Sequence, residues 1–283
     1  MFNRIKTALL LGILSGIVLA AGYFIGGQNG ILIALAFSLL MNFGTYWYSD
    51  KMILRMYNAQ LAGKKEYTSL HNIVEEVSHS AKIPKPAIYI VPSENCNAFA
   101  TGRDYNHSAI ACTEGILKLL NKDELKGVIA HELSHIRNRD TLIATIAASI
   151  AAIISYLSIF ARYFAMFGTR ERDGGRAGEI IALAILTPIL AMIIQLAISR
   201  TREYFADATA AKITGKPQHL ANALAKLHKS AEQTPMRIGT KATASLFIVN
   251  PFTGEALVSL FSTHPSTSSR IARLLKMKID STL

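Results

Sequence analysis

Asn121-Lys122-Asp123-Glu124-Leu125-Lys126-Gly127-Val128-Ile129-Ala130-His131-Glu132-Leu133-Ser134-His135-Ile136-Arg137 is the stretch on which the fold turns. Asn121, with Glu124 three residues later, is a capping-box start, so the spacing predicts a helix through Arg137. On that helix His131 and His135 project from one face, one turn apart. Two imidazoles so placed can share one zinc ion at about 2.0–2.1 Å. Glu132 lies about 100° around the helix from His131, where it can reach a water on the metal without displacing either ligand. Zinc lowers the pKa of such a water to near 7, and a carboxylate beside it can take the proton and later pass it to a leaving amine. The bland alternative is that H-E-x-x-H arose by chance. Its setting argues otherwise, since the helix is capped and carries apolar Val128, Ile129 and Ile136.

Elsewhere the chain is poor in charge. Of its 283 residues 51% are hydrophobic and 17% charged, against about 25% charged in a soluble domain. No charged residue occurs from Thr7 to Ser49, and Gly26-Gly27-Gln28-Asn29-Gly30 interrupts that run near its middle. A helix needs about 20 apolar residues to cross roughly 30 Å of hydrocarbon, so the run divides into two spans joined by a polar turn. Arg4 and Lys6 precede it as they would a secretory signal, but a second span follows at once, and the first reads as retained. Two further uncharged runs, Thr141–Ala161 and Ile180–Ser199, flank the charged cluster Arg170–Arg176. Their length favours spanning helices over a buried hairpin of a soluble domain.

The expected layout is a membrane hairpin (1–49), a first part of an aqueous catalytic domain with the His131–His135 helix (50–140), a second membrane hairpin (141–199) and the remainder of that domain (200–283). The fold class is mainly α (α+β): an integral membrane, zincin-like chain with about four transmembrane helices and a small β-sheet. Within 50–140, Leu70, Ile73, Val74 and Val77 recur at helical spacing. Ala87–Val91, Asn97–Gly102 and Ser108–Thr113 read as about three strands. In the last part, Arg200–Ile213, His219–Ser230 and Ser266–Ile279 read as helices, with a polar loop at Thr234–Thr243 that could cover a cleft.

Lys/Arg in short flanks favours the cytosol. Arg4, Lys6, Lys51, Arg55, Lys64, Lys65, Arg137, Arg139, Arg200 and Arg202 place both termini and the catalytic segments there, against a dissenting Arg170, Arg172 and Arg176. The net charge of +11 then reflects basic flanks on an anionic lipid leaflet, each worth about 1 kcal/mol. No nucleic-acid motif or aromatic-interleaved basic patch is present, which excludes DNA or RNA as a partner. Cys96 and Cys112 fall in a reducing compartment and read as small core residues.

A catalytic zinc site takes a third protein ligand. The candidates are His71, His79, His107, His219, His228, His264 and several carboxylates. Glu203, in Ser199-Arg200-Thr201-Arg202-Glu203-Tyr204-Phe205-Ala206-Asp207, is the choice, because Asp207 shares its helix face and could accept a hydrogen bond from a ligand imidazole. Spacing alone leaves open that the two acids merely offset Arg200 and Arg202. Two spans between the motif halves bring both to one side of the membrane, a condition that an odd number would have broken.

The ordered set resembles the HtpX family, bacterial membrane zinc metalloproteases related to the eukaryotic CAAX prenyl-protein metalloproteases. It comprises two N-terminal spans, Asn97-Ala98-Phe99-Ala100-Thr101-Gly102, the H-E-x-x-H helix, two more spans, Arg202-Glu203-Tyr204-Phe205-Ala206-Asp207, and Ser262-Thr263-His264-Pro265 leading to Arg270-Ile271. The resemblance implies one zinc per chain on His131, His135 and Glu203, with Glu132 as general base. It also implies endopeptidase action on misfolded or damaged membrane proteins at the bacterial inner membrane, the active site facing the cytoplasm. Ser266 stands where the family often has a second proline, and Ser is a good N-cap. The alternatives are a CAAX-type prenyl-protein protease and a non-catalytic zinc-binding membrane scaffold. Beyond the ligands, Asn97 is a candidate for binding extended substrate by strand addition, and His264 for stabilising the oxyanion. Arg270 could pair with Asp207, and Tyr204 reads as core.

Overall fold

The uncharged N-terminal run and its flanks form α1 (Phe2–Met56) in a computed structural model that describes residues 2–138, 140–146, 200–233, 248 and 265–277. Asn42 Nδ2 donates to Ser15 Oγ across 2.7 Å, although the two are 27 residues apart. A straight helix would separate them by about 40 Å, so α1 doubles back on itself. The reversal falls at Gly27, whose φ of 58° is a conformation glycine adopts without steric cost. The expected turn at Gly26–Gly30 is therefore a fold within α1.

Gly27–Met56 is long and apolar enough to cross a membrane, and Leu11–Ala20 is a shorter apolar helix before it. Leu32, Ile33, Phe37, Leu39, Leu40 and Phe43 are all exposed on the longer arm, an apolar surface suited to lipid. Tyr46, Trp47 and Tyr48, followed by Lys51 and Arg55, lie near the end of this arm, residue types that are enriched at membrane–water interfaces. Of the second expected hairpin only 141–146 is described, and it is helical; the rest of 141–199, the Arg170–Arg176 cluster, most of Thr234–Thr243's surroundings and that loop itself lie outside the described residues.

The sheet has four strands rather than about three. β1 (Gln60–Leu61), β2 (Ala87–Val91), β3 (Ala98–Asp104) and β4 (His107–Thr113) lie in the order β1-β2-β4-β3. β2 and β4 are parallel; β1 pairs antiparallel with β2 and β3 with β4. Strand side chains alternate between faces, and both faces are covered. Ile88, Ile90, Ala98, Ala100, Ile110 and Cys112 join the main core. Val91, Phe99, Ala109 and Ala111 pack with Ile53, Leu54 and Tyr57 from the end of α1. The end of α1 thus packs directly on the sheet.

Beneath the sheet lie α2 (Thr68–Ala81), α3 (Glu114–Leu119) and α4 (Lys122–Arg137), followed later in the chain by α5 (Arg200–Thr214), α6 (Pro217–Gln233) and α7 (Thr267–Lys276). The capping box is formed in both directions: Asn121 accepts from the Glu124 N–H, and Glu124 from the Asn121 N–H. Glu124 Oε2 also takes Lys226 Nζ at 2.8 Å, tying α4 to α6. At Gly127 the two helices approach so closely that a Cβ would lie 2.8 Å from the backbone nitrogen of Leu220. Ser266 caps α7 by accepting from the Ser269 N–H.

Candidate metal centre

α4 buries its lower turns in the core and presents His131 and His135 from the same face. Their Nε2 atoms are 3.1 Å apart. Glu203, in the first turn of α5, places Oε2 3.6 Å from His131 Nε2 and Oε1 3.6 Å from His135 Nε2. Tetrahedral ligands at 2.0–2.1 Å from one ion lie about 3.3–3.4 Å from each other, so this triangle fits zinc. Among the described residues these three form the group of His, Cys, Asp or Glu able to hold a metal. His71, by contrast, bonds Ala62 O, and His107 bonds Asp104. His219 and His228 are set against Asp123 and Glu232.

Behind the ligands stands a second carboxylate from α5, one turn beyond Glu203. Asp207 Oδ1 lies 3.0 Å from His131 Nδ1. Because the carboxylate accepts, Nδ1 carries the hydrogen and Nε2 keeps its lone pair for metal. Arg270, from α7, donates to the same carboxylate twice, from Nε at 2.9 Å and Nη2 at 2.7 Å, and from Nη1 to Ile248 O at 2.8 Å. This guanidinium is only 2% exposed, and a charge so deep requires its partner. Burial and Arg270 both act to lower His131, but Asp207 and Glu203 outweigh them and push its pKa up to about 9 in the metal-free chain.

Glu132 is buried between α4 and the sheet. Burial raises its pKa; His131 and His135 oppose the shift, Glu203 adds to it, and the Ala100 N–H of β3 donates to the carboxylate. Asn97 is also buried. Its Oδ1 accepts from the Ala98 N–H, and its backbone N–H and carbonyl both engage Thr113. His264 lies outside the described residues. Tyr204 is half-buried rather than core, its ring covered by Arg273 at 4.1 Å.

One carboxylate escapes sequence reading. Asp140 Oδ2 stands 3.5 Å from His135 Nδ1, and its other oxygen 3.7 Å from Arg202 Nη1. The available signal was an acidic residue five positions after the second histidine.

Fold and site together define a zincin-type zinc metallopeptidase that carries one N-terminal helical arm, Gly27–Met56, long and apolar enough to cross a membrane. Residues 64–278 match the profile of peptidase family M48. A "Protease HtpX homolog" of Pyrococcus furiosus is 52% identical over 278 residues, covering 98% of this chain and 96% of that one. Another, from Persephonella marina, is 51% identical over 280 residues and covers 97% of each. The crystal structure of S. mikatae Ste24p is similar with a TM-score of 0.53 at 19% identity, a likeness of fold that covers 96% of this chain and 65% of that one. The chain belongs to peptidase family M48, among its HtpX homologs.

Proposed function

We propose that this metalloprotease is an endopeptidase that cuts misfolded or damaged membrane proteins at the cytosolic face of the plasma membrane. The observation that carries the reading is a buried carboxylate, Glu132, beside a three-ligand zinc site that it does not complete. A structural zinc site is normally closed by four protein ligands, and here Glu132 is left for chemistry.

His131, His135 and Glu203 would hold the zinc, which when bound would supply a Lewis acid that makes water acidic enough to be activated near neutral pH. Burial raises the carboxyl of Glu132, the direction that helps it hold a proton between two transfers. It takes the proton from the attacking water and gives it to the amine nitrogen as the C–N bond breaks. The water oxygen stays on the acyl carbon, and no covalent intermediate forms on the enzyme. Asp207 keeps His131 in the tautomer that binds metal.

β3 supports the substrate reading. It is an edge strand that pairs with β4 on one side. Its other side carries the N–H groups of Ala98 and Ala100, engaged by Asn97 and Glu132, and the carbonyls of the same two residues, since N–H and C=O alternate together along a strand. An extended peptide laid along that edge runs past Glu132, and Asn97 shapes the start of the edge. His264 is assigned to the oxyanion. The basic flanks Lys51, Arg55, Arg137, Arg200 and Arg202 support a cytosolic active site.

Glu132→Gln tests the mechanism. Its zinc content should equal that of the wild type, while cleavage of an unfolded protein falls by at least the 10²–10⁴ of lost proton transfer, about the usual range. Wild-type turnover in that variant would refute the role. Farnesylated peptides offered beside an unmodified, unfolded membrane protein separate this activity from a CAAX-type prenyl-protein protease, which would cut the former.

A further inference from the structure

His131 has an assigned carboxylate behind it, and His135 does not. The geometry points to Asp140 as the positioning residue for His135, held in place by Arg202 so that the helical stretch 140–146, the first turn of α5 and the zinc ligand form one unit.

The placement depends on a break in the helix. Five residues along a continuous α-helix turn the chain about 140° away from the starting side chain, which would aim residue 140 off the His135 face. Here α4 ends at Arg137, and Asn138 is its C-cap. Helix resumes at Asp140, and the carboxylate returns to within 3.5 Å of His135 Nδ1. Asp140 is only 6% exposed, so its charge is shielded from water and its partners matter. A hydrogen bond at Nδ1 leaves Nε2, the atom facing His131 and Glu203, free for metal.

Arg202 comes from α5, more than 60 residues along the chain from Asp140. It enters in the first turn of α5, one residue before the ligand Glu203, and its guanidinium lies 3.7 Å from Asp140. Asp140 lies in the helical stretch 140–146, and Arg202 in the first turn of α5. The pair therefore bridges these two stretches. The Thr101 and Thr145 hydroxyls, 3.0 Å apart and buried, tie the same helix to β3. Displacement of the stretch 140–146 is thereby passed to one zinc ligand and to β3, whose Ala100 N–H bonds Glu132.

This inference rests on the zinc-peptidase reading, and wild-type protein that takes up no zinc would end that reading before Asp140 is tested. The experiment uses the full chain in detergent micelles, loaded with zinc and challenged with a chromophoric chelator. Asp140→Asn keeps shape but loses the charge. Zinc should leave it about 10–100-fold faster, in line with the usual effect of removing a partner from a ligand histidine, while the melting temperature of the metal-free protein stays at the wild-type value. Asp140→Glu, which keeps the charge, should restore part of the retention. Wild-type zinc release from Asp140→Asn, or faster release matched by an equal fall in metal-free stability, would overturn the assignment. Arg202→Gln retains Asp140 itself and should speed release by a smaller factor; unchanged release there would overturn the bridge even if Asp140→Asn did not fold.

Discussion

Asp207→Asn separates two tasks that one side chain performs. In the wild type, Asp207 receives two hydrogen bonds from Arg270 and faces His131 Nδ1 at 3.0 Å. The substitution leaves a guanidinium only 2% exposed without its ionic partner. Breaking a buried pair from one side costs about 3–5 kcal/mol, a large part of the roughly 5–15 kcal/mol that holds a domain folded. Ile248 O at 2.8 Å and Glu203 at 3.7 Å still face Arg270, which favours the lower figure. Zinc affinity falls by a separate factor of up to about 10–100 as the charged acceptor that orders the His131 ring is replaced by a neutral amide. Adding Arg270→Met removes the stranded charge, so the double variant should recover most of the stability and none of the zinc affinity. Urea unfolding of zinc-free protein in detergent, followed by circular dichroism, reads the first quantity, and chelator competition reads the second. Burial pushes the Asp207 carboxyl up, but Arg270 and His131 outweigh it and hold it below its ordinary value of 3.8. A carboxyl lowered in the folded state contributes stability above its unfolded value, about 3.9, and loses it as pH falls through the folded one. The gap between wild type and Asp207→Asn should therefore be complete at pH 7 and close only in strong acid. A gap under about 1 kcal/mol at pH 7, or a double variant that binds zinc as the wild type does, would refute the reasoning.

Gly127→Val should destabilise the protein by about 1–3 kcal/mol, because its Cβ would press on the backbone of Leu220 and force α4 and α6 apart; an unchanged melting temperature would contradict that close approach. In the metal-free chain His131 holds a proton up to about pH 9, on the ring that zinc must occupy. Zinc affinity should consequently climb with pH, by up to about tenfold per unit from 6 to 9, and then level off. A flat profile over that range would show that no such proton is displaced.

The histidine pair and Glu132 were legible because a helix converts sequence spacing directly into a shared face, and the capping box announced where that helix begins. Glu203 needed more. Spacing could not distinguish it from an acid on a solvated face, and parity of the spans, together with resemblance, decided in its favour. Asp140 was hidden because it reaches His135 through an interruption after Arg137, and helical periodicity points it elsewhere. β1 was missed since two residues cannot show alternation, and α3 since six residues show no helical period. The hairpin within α1 was readable from its glycine-rich middle, and the Ser15–Asn42 contact gives the register that hydropathy alone does not carry.

The site requires one zinc ion held jointly by α4 and α5, through His131, His135 and Glu203. The most direct measurement is the zinc content of the purified full chain beside Glu203→Ala, by elemental analysis after extensive dialysis. The expected result is one zinc per wild-type chain and nearly none in the variant, with both proteins folded. Full zinc in Glu203→Ala would remove α5 from the site and contradict the assembly described here.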